Sequence, residues 1–229
     1  MTSTFDRDNV RFRYEVLGDG RPLVLCHGLG GDRQQPRDLV GPLDGYRLIV
    51  WDCRGHGETQ PVGPAEKFCF ASMAEDLASL LDHLGVEQAI VGGISMGAGI
   101  AARFAAQWPG RVEALVLVRP AWLVQPLPEN LALFPRVADL LRQLGPDAGL
   151  AEFEKLPELA AVRRCSPAVA ESLCEQFTKP NAVERSIRLE RLPRDCPVDR
   201  WSIVESLTMP ALVVGNEQDT VHPMEFART

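Results

Sequence analysis

The chain has 229 residues, a formal net charge of −7 and 45% hydrophobic residues. This length and apolar content suffice for one buried core, so the composition predicts a compact enzyme-sized domain with an insertion. The negative charge is a weak argument against nucleic acid and membrane surfaces as partners, because those partners select basic patches. No apolar run of about 18 residues occurs and the first residues are polar, so neither a membrane span nor a secretory leader is predicted.

The cysteines show no metal-binding or redox pattern. There are six of them, with no C-x-x-C pair and no zinc-ligand spacing. The sequence therefore predicts reduced structural thiols, a cytoplasmic protein, and neither a metal ion nor an organic cofactor. The six are Cys26, Cys53, Cys69, Cys165, Cys174 and Cys196.

The first half of the chain alternates strand and helix patterns. Residues 10–16 alternate apolar and polar side chains, and a turn at 18–20 joins them to an apolar strand over 23–26, which predicts an opening hairpin. A short helix over 38–43 and a strand over 47–51 follow. Residues 70–84 carry apolar side chains at helical spacing and end at a glycine, which predicts a long amphipathic helix.

The second half continues this alternation and then changes character. A strand over 89–92, a helix over 96–108 and a nearly continuous apolar strand over 111–118 predict a parallel, doubly wound sheet. From 122 to 207 no strand pattern occurs, and prolines interrupt short helical stretches. The sheet pattern resumes at 210–215.

A serine lies between two glycines at the junction of a strand and a helix. Ser95 stands in Gly93-x-Ser95-x-Gly97, after a β-prone run and before a helix rich in small residues. A serine on such a sharp turn has a strained backbone, and glycines two positions away allow neighbouring backbone to pass closely. Two earlier strands also end in glycine-rich turns, over residues 27–31 and 52–57.

These motifs together resemble the α/β-hydrolase fold, over nearly the whole chain from residue 9 onward. The resemblance is to small esterases, enol-lactonases, C–C-bond hydrolases and cofactor-free perhydrolases. It implies a core over residues 1–121 and 208–229 and a helical cap, or lid, over 122–207. The cap is expected to cover Ser95 and to line a substrate pocket with Gly28 and several apolar side chains, namely Trp122, Leu131, Leu133, Phe134 and Phe153.

The resemblance also implies roles for individual residues. Ser95 is the expected nucleophile, and the backbone N–H groups of Leu29 and Met96 are the expected oxyanion hole. Asp219, just beyond the last strand, is the expected acid, with Glu217 as its competitor. His27 and His56 match turns of the family and are expected to be architectural.

The general base has no clear candidate in the sequence. His222 is the only histidine after Asp219, and it resembles a structural feature of its loop rather than the base. We therefore expect the sequence to lack the last strand and helix with the catalytic histidine. A fragment of a longer hydrolase, completion by another segment or chain, and loss of acid–base catalysis are the three explanations. An uncovered sheet edge would favour a homo-oligomer or swapped dimer.

The expected function is a serine hydrolase acting on a small ester, thioester, lactone or vinylogous ketone. The nucleophile, the acid and the oxyanion glycines all favour this function. The alternative is a non-catalytic module that binds or senses a small molecule on the same fold, which the missing histidine favours. A small-molecule substrate is the expected partner in the first case.

Overall fold

The computed structural model describes residues 2–228 and contains a seven-stranded sheet with the order β1-β2-β4-β3-β5-β6-β7. β1 pairs antiparallel with β2, and β2 pairs antiparallel with β4; the remaining neighbours are parallel. The strands are β1 Thr2–Arg7, β2 Val10–Leu17, β3 Arg21–Cys26, β4 Tyr46–Trp51, β5 Ala89–Ile94, β6 Val112–Val118 and β7 Ala211–Val214.

Helices cover both faces of this sheet. Alternate side chains of β3 show the division, because Leu23 and Leu25 belong to one apolar cluster while Val24 and Cys26 belong to the other. The predicted α/β class with a mostly parallel, doubly wound sheet is therefore confirmed. The α-helices are α1 Gln34–Val40, α2 Phe70–His83, α3 Met96–Gln107, α4 Leu133–Phe153, α5 Pro157–Cys165, α6 Pro167–Glu175, α7 Ala182–Arg191, α8 Trp201–Glu205 and α9 Glu225–Arg228.

The beginning of the sheet differs from the prediction in two ways. The predicted opening hairpin is wrong, since β2 pairs with β1 and β4 while β3 lies between β4 and β5. The last four residues of β3 are all buried. An interior position between two parallel strands buries the side chains on both faces of such a strand, which explains its place in the sheet. β1 was missed because Phe5 is its one buried side chain.

The first helix begins four residues before its predicted start. The side chain of Asp32 accepts a hydrogen bond from the backbone N–H of Gln34 at 2.9 Å, and its carbonyl accepts one from Gln35 at 3.1 Å. These two contacts satisfy free N–H groups of the first turn and place the start at Gln34. The prediction missed this start because only the later residues carry apolar periodicity.

The segment between β6 and β7, residues 119–210, consists of helices joined by loops, contains no strand, and is called the helical insertion below. It contains α4 to α8, and α4 bends at Gly145, which has a φ of 77° before Pro146. The indole of Trp122 joins it to the core, packing edge-on against Phe70 with ring centroids 5.3 Å apart. The expected helical stretch after β6 is thus present.

β7 forms one edge of the sheet in the described part of the chain. Its side chains are exposed, and Leu212, Val213 and Val214 have exposed fractions of 58%, 41% and 41%. In contrast, every residue of β5 is buried. Within residues 2–228, no helix is long and apolar enough to cross a membrane.

Candidate active site

Ser95 lies at the tight turn between β5 and α3. Its φ of 55° and ψ of −110° fall outside the ordinary regions for a residue with a side chain. Such strain costs roughly 1–3 kcal/mol and persists only where the surroundings enforce it. The backbone N–H of Ser95 donates to the Val118 carbonyl at 2.9 Å, and its carbonyl accepts from Gly99 at 3.2 Å. The neighbouring strand and the helix therefore fix this backbone.

The two glycines of the motif are required by close backbone contacts. A Cβ atom on Gly93 would lie 2.4 Å from the carbonyl carbon of Gly97. A Cβ atom on Gly97 would lie 2.2 Å from the Cys26 oxygen at the end of β3. Both distances are far shorter than van der Waals contact. The motif thus reflects the packing of one turn against the neighbouring strand.

The loop after β3, residues 28–31, faces this turn and is called the glycine loop below. A Cβ atom on Gly28 would lie 3.6 Å from the Ser95 Cβ, so the loop and the serine are neighbours. The Gly28 N–H donates to Gln35 Oε1 at 2.7 Å, and the Gly31 N–H donates to the Gly28 carbonyl at 2.9 Å. These two bonds close the loop into a compact turn.

Two backbone donors beside Ser95 are without acceptors. In the structure of residues 2–228, the N–H groups of Leu29 and Met96 donate to no protein atom. Both residues are buried, with exposed fractions of 2% and 0%. Met96 is the first residue of α3, where a helix leaves its N–H groups unpaired. Buried donors of this kind are suited to an oxygen atom of a bound ligand.

The imidazoles of His27 and His56 contact backbone carbonyl groups of the glycine loop. His27 Nε2 accepts from the Cys53 N–H at 3.0 Å, so its Nδ1 carries the proton and donates to the Gly28 carbonyl at 2.8 Å. His56 Nε2 lies 3.0 Å from the Leu29 carbonyl. Burial lowers the pKa of both imidazoles. Both histidines have architectural surroundings, as their turns indicated.

Asp219 and His222 form a hydrogen-bonded pair in the loop after β7, residues 215–223, which is called the acid–base loop below. His222 Nδ1 lies 2.8 Å from Asp219 Oδ2. Asp219 Oδ1 accepts from the backbone N–H groups of Val221 and His222, each at 3.1 Å. Glu217 is exposed and contacts no histidine in the described chain. Of the two candidate acids, Asp219 is therefore the one paired with an imidazole.

The surroundings of Asp219 favour its ionised form. Burial alone would raise its pKa, but the hydrogen bonds from the His222 side chain and from the two backbone N–H groups lower it below the usual value. Arg119 Nη1 lies 3.5 Å from Asp219 Oδ2. Asp219 is thus a carboxylate that holds His222 Nδ1–H and leaves Nε2 free to point elsewhere.

The helical insertion anchors the acid–base loop. Asn130 Nδ2 donates to the Val221 carbonyl at 2.7 Å and to the Ala121 carbonyl at 2.9 Å. The hydroxyl of Ser166 donates to the Gln218 carbonyl at 2.7 Å. Because α9 and the exposed β7 supply little burial, these side-chain contacts determine where the loop lies.

Ser95 and His222 line one cavity of about 250 Å³, which is called the Ser95 cavity below. Its walls come from the glycine loop, the end of β5, α6 and the acid–base loop. No hydrogen bond joins Ser95 to His222 among the described residues. The lining residues are Gly28, Leu29, Gly30, Gln35, Ile94, Ser95, Arg119, Phe134, Ala168, Val169, Ser172, Leu173, Val221 and His222.

The predicted pocket residues divide into two groups. Gly28 and Phe134 line the Ser95 cavity. Trp122 and Leu131 do not: both are buried in the core, where the Trp122 indole donates to the Asp195 carbonyl at 2.9 Å. Phe153, also expected in the pocket, is buried against Phe177. Large apolar side chains of an insertion first serve to fill its own interior, which the sequence pattern does not distinguish from pocket lining.

Leu133 lines a different and larger opening. This groove of about 1000 Å³ runs between α4, α5 and the residues after Asp219, and it does not include Ser95. Of these two openings, the smaller contains both Ser95 and His222 and the larger contains neither.

A buried chain of hydrogen bonds joins the helical insertion to the glycine loop. Gln176 Nε2 donates to the Gly30 carbonyl at 3.3 Å, and its Oε1 accepts from Arg188 Nη2 at 2.7 Å. Arg188 is 2% exposed and has no carboxylate partner within residues 2–228. Burial, with the nearby charge of Arg185, lowers the pKa of Arg188 to about 9. The sequence analysis did not identify this chain, because its members lie 146 and 12 residues apart.

His222 and Arg119 are site residues whose position the sequence analysis did not foresee. His222 was assigned to the structure of its loop, whereas the fold brings it to Asp219 and to the wall of the Ser95 cavity. Arg119 directly follows the apolar strand β6, and its place at the carboxyl end of a parallel strand was the available signal.

The fold and these motifs define a protein of the α/β-hydrolase class. A family model described as alpha/beta hydrolase fold matches residues 21–164, and the chain belongs to this family. The match spans β3 to α5 and includes the glycine loop and Ser95.

Curated relatives carry different activity names. The chain is 28% identical over 90% of its length to a putative 2-succinyl-6-hydroxy-2,4-cyclohexadiene-1-carboxylate synthase of Bacillus subtilis, covering 78% of that protein. It is 32% identical over 94% of its length to a probable proline iminopeptidase of Streptomyces coelicolor, covering 64% of that protein. Family membership therefore establishes the fold but does not determine the reaction, which must be inferred from the residues of the site.

A solved structure shows the same arrangement. A thermophilic esterase from Thermogutta terrifontis superposes with a TM-score of 0.71 at 28% identity, covering all of this chain and 84% of the esterase. This likeness extends beyond the residues matched by the family model, into the remainder of the helical insertion and β7.

Proposed function

We propose that the protein is a serine hydrolase of small carbonyl substrates, in which Ser95 is the nucleophile, His222 the general base and Asp219 the acid that orients it. The observation that carries the proposal is the shared cavity: Ser95 and His222 both line it, and His222 Nδ1 lies 2.8 Å from Asp219 Oδ2. Of the four histidines in the sequence, His27 and His56 are committed to backbone contacts. His83 is on α2, beside Tyr14.

The reaction follows from the roles of these groups. His222 Nε2 takes the proton as Ser95 Oγ attacks the carbonyl carbon, and the imidazolium that forms is stabilised by Asp219. The developing oxyanion is received by the unpaired N–H groups of Leu29 and Met96. Protonation of the leaving group by His222 gives an acyl-enzyme, which a water molecule hydrolyses by the same route. The absent Ser95–His222 hydrogen bond is compatible with this function, because catalytic contacts often tighten only with substrate.

Hydrolysis of 4-nitrophenyl acetate and labelling by a fluorophosphonate probe test the proposal. We expect Ser95→Ala to abolish labelling and to lower kcat by at least about 1000-fold, and His222→Gln to lower kcat by a similar factor. The matched controls are Ser202→Ala and His83→Gln, both exposed and outside the cavity, which should retain activity.

Three results would contradict the proposal in different ways. Activity that survives Ser95→Ala excludes Ser95 as the nucleophile. Loss in Ser95→Ala with full activity in His222→Gln transfers the base to another histidine, including one outside the printed sequence. Stabilisation by a substrate analogue without labelling or turnover favours the binding module instead.

A further inference from the structure

The Ser95 cavity contains an arginine and no acidic side chain. Among the described residues that line it, Arg119 is the one Lys or Arg, and none is Asp or Glu. The remaining polar side chains are neutral or belong to the proposed chemistry, namely Gln35, Ser172, Ser95 and His222. A cation in a small, partly apolar cavity favours a ligand with negative charge.

The guanidinium of Arg119 is poorly paired within the protein. Its one side-chain contact in the described chain is Nη1 to Asp219 Oδ2 at 3.5 Å, which is long for a charge-assisted hydrogen bond. That oxygen already accepts from His222 Nδ1 at 2.8 Å. Most of the five N–H donors of Arg119 are therefore free, and a planar guanidinium matches a carboxylate with two parallel bonds.

Backbone contacts hold Arg119 in place at the carboxyl end of β6. Its φ is 48°, an uncommon value for a residue with a side chain, and its N–H donates to the Val214 carbonyl at 2.7 Å. Strained residues that the fold maintains occur often at ligand sites. Asp219 needs no contact from Arg119 to be ionised, because three N–H groups of Val221 and His222 already serve it.

Two more arginines, both on α7, are buried and form no ion pair among the described residues. Arg185 and Arg188 on α7 are 6% and 2% exposed, and neither forms an ion pair within residues 2–228. Arg188 lies behind the cavity wall, bound to Gln176, which contacts Gly30. Arg188 is therefore one hydrogen-bonded residue away from the glycine loop, whereas the charges of Asp52 and Glu184 act on Arg185.

We infer that the Ser95 cavity selects substrates with a carboxylate on the acyl portion, and that Arg119 binds this carboxylate. The inference rests on the proposed function, because it concerns the same cavity and places the scissile carbonyl at Ser95. The cavity of about 250 Å³ limits the acyl portion to a short chain, since whole ligand pockets usually measure about 300–1000 Å³. The half-ester of a short dicarboxylic acid fits this description.

The test compares two esters of the same acyl chain, one with a charged and one with a neutral distal group: 4-nitrophenyl hydrogen glutarate and its methyl ester, which is larger by one methyl group. Ser95→Ala serves as the blank for spontaneous hydrolysis. We expect the wild type to have the higher kcat/KM for the charged ester. Arg119→Gln should lower kcat/KM for that ester by about 10- to 100-fold, mainly through KM, and change the neutral ester by less than about twofold.

Two further variants separate recognition from general damage. Arg119→Lys keeps the charge but not the paired donors, so it should recover part of the preference for the charged ester. Arg164→Gln removes an exposed positive charge of α5 outside the cavity and should leave the ratio of the two kcat/KM values unchanged. Thermal unfolding of each variant shows whether it folds.

The outcomes distinguish this inference from the proposed function. Equal losses on both esters in Arg119→Gln would assign Arg119 to positioning Asp219 and overturn carboxylate recognition. Ser95-dependent hydrolysis with no preference for the charged ester would also overturn it while the serine hydrolase stands. If neither ester is hydrolysed in a Ser95-dependent way, the proposed function fails first.

Discussion

The two halves of the candidate site are built in different ways. Ser95 follows β5, whose six residues are all buried, and its turn is fixed by backbone contacts shorter than a side chain would allow. Asp219 and His222 follow β7, whose four residues are all exposed, and their loop is held by side chains of the helical insertion. The proposed nucleophile is therefore part of the core, whereas the position of the proposed acid and base depends on a few hydrogen bonds.

This difference predicts how the two halves respond to change. Substitutions of the two glycines that flank Ser95 should destabilise the protein and thereby remove activity. Substitutions around the acid–base loop should lower activity with a smaller loss of stability, because β7 is exposed and three of the nine loop residues, Asp219, Val221 and His222, are buried. The following four experiments test this division, from the largest expected effect to the smallest.

The largest effect is expected at Gly97. A Cβ atom there would lie 2.2 Å from the Cys26 oxygen and 2.6 Å from the Cys26 carbonyl carbon, and backbone cannot move aside cheaply. We expect Gly97→Ala to lower the free energy of unfolding by about 3 kcal/mol or more, measured by urea denaturation. Gly110→Ala is the control, since nothing lies within 4 Å of its Cβ position. An unaltered urea midpoint in Gly97→Ala would disprove the packing argument.

The second experiment concerns Gln176, which connects the helical insertion to the glycine loop beside Ser95. Gln176→Ala removes the donor to Gly30 and leaves buried Arg188 without its side-chain acceptor, so we expect a loss of about 1–3 kcal/mol in stability and a lower kcat. Gln176→Glu restores an acceptor for Arg188 but not the donor to Gly30. Its stability should exceed that of the alanine variant while kcat stays low. If kcat recovers together with stability, the Gly30 contact has no part in activity.

Asn130 tests the anchoring of the acid–base loop. Asn130→Ala removes the two hydrogen bonds to the Val221 and Ala121 carbonyls, and we expect kcat/KM to fall about 10-fold, the equivalent of one good hydrogen bond. Steady-state kinetics and the urea midpoint should be measured together, with exposed Gln143→Ala on α4 as the control. A large loss of stability with a matching loss of activity would contradict this prediction, because the acid–base loop would then contribute to stability as the Ser95 turn does.

The smallest effect is expected from pH. The pKa of Asp219 is lower in the folded state than its usual value of 3.8, so the unfolded state binds more protons near that pH. Its contribution to stability is therefore complete above about 3.8 and is lost as the pH falls through the lower folded-state pKa. Urea unfolding of the wild type and Asp219→Asn between about pH 3 and 6 should show a difference in the free energy of unfolding that shrinks at the acid end. A difference that grows as the pH falls would have the wrong sign.

The core could be predicted from the sequence because its signals are local and periodic. Continuous apolar residues identified β3 to β6, and helical spacing identified α2 to within one residue of its end. The order of the strands could not be obtained in this way. The apolar pattern of a strand does not show which neighbours it pairs with, so the pairing of β2 with β4 and the interior position of β3 were not predictable. β1 has too few buried residues to give a periodic signal.

The candidate site could be predicted only in part. The Gly93-x-Ser95-x-Gly97 motif identified the serine because the turn imposes the motif on contiguous residues. Whether His222 or a later histidine approaches Asp219 depends on tertiary placement, and the contacts of Asn130 with the acid–base loop span 91 residues. Arg119 gave no motif, since its meaning comes from what surrounds its guanidinium in the fold.

The wall of the Ser95 cavity comes from two parts of the fold that can change independently of each other. The turns and loops after β5 and β7 supply Ser95 and His222, while α6 supplies small side chains, including Ala168, Val169 and Ser172. A change of volume or polarity on α6 alters which acyl group fits without disturbing the turn that holds Ser95. Selection can therefore diversify substrates on this scaffold by altering one helix, and an engineer can follow the same route.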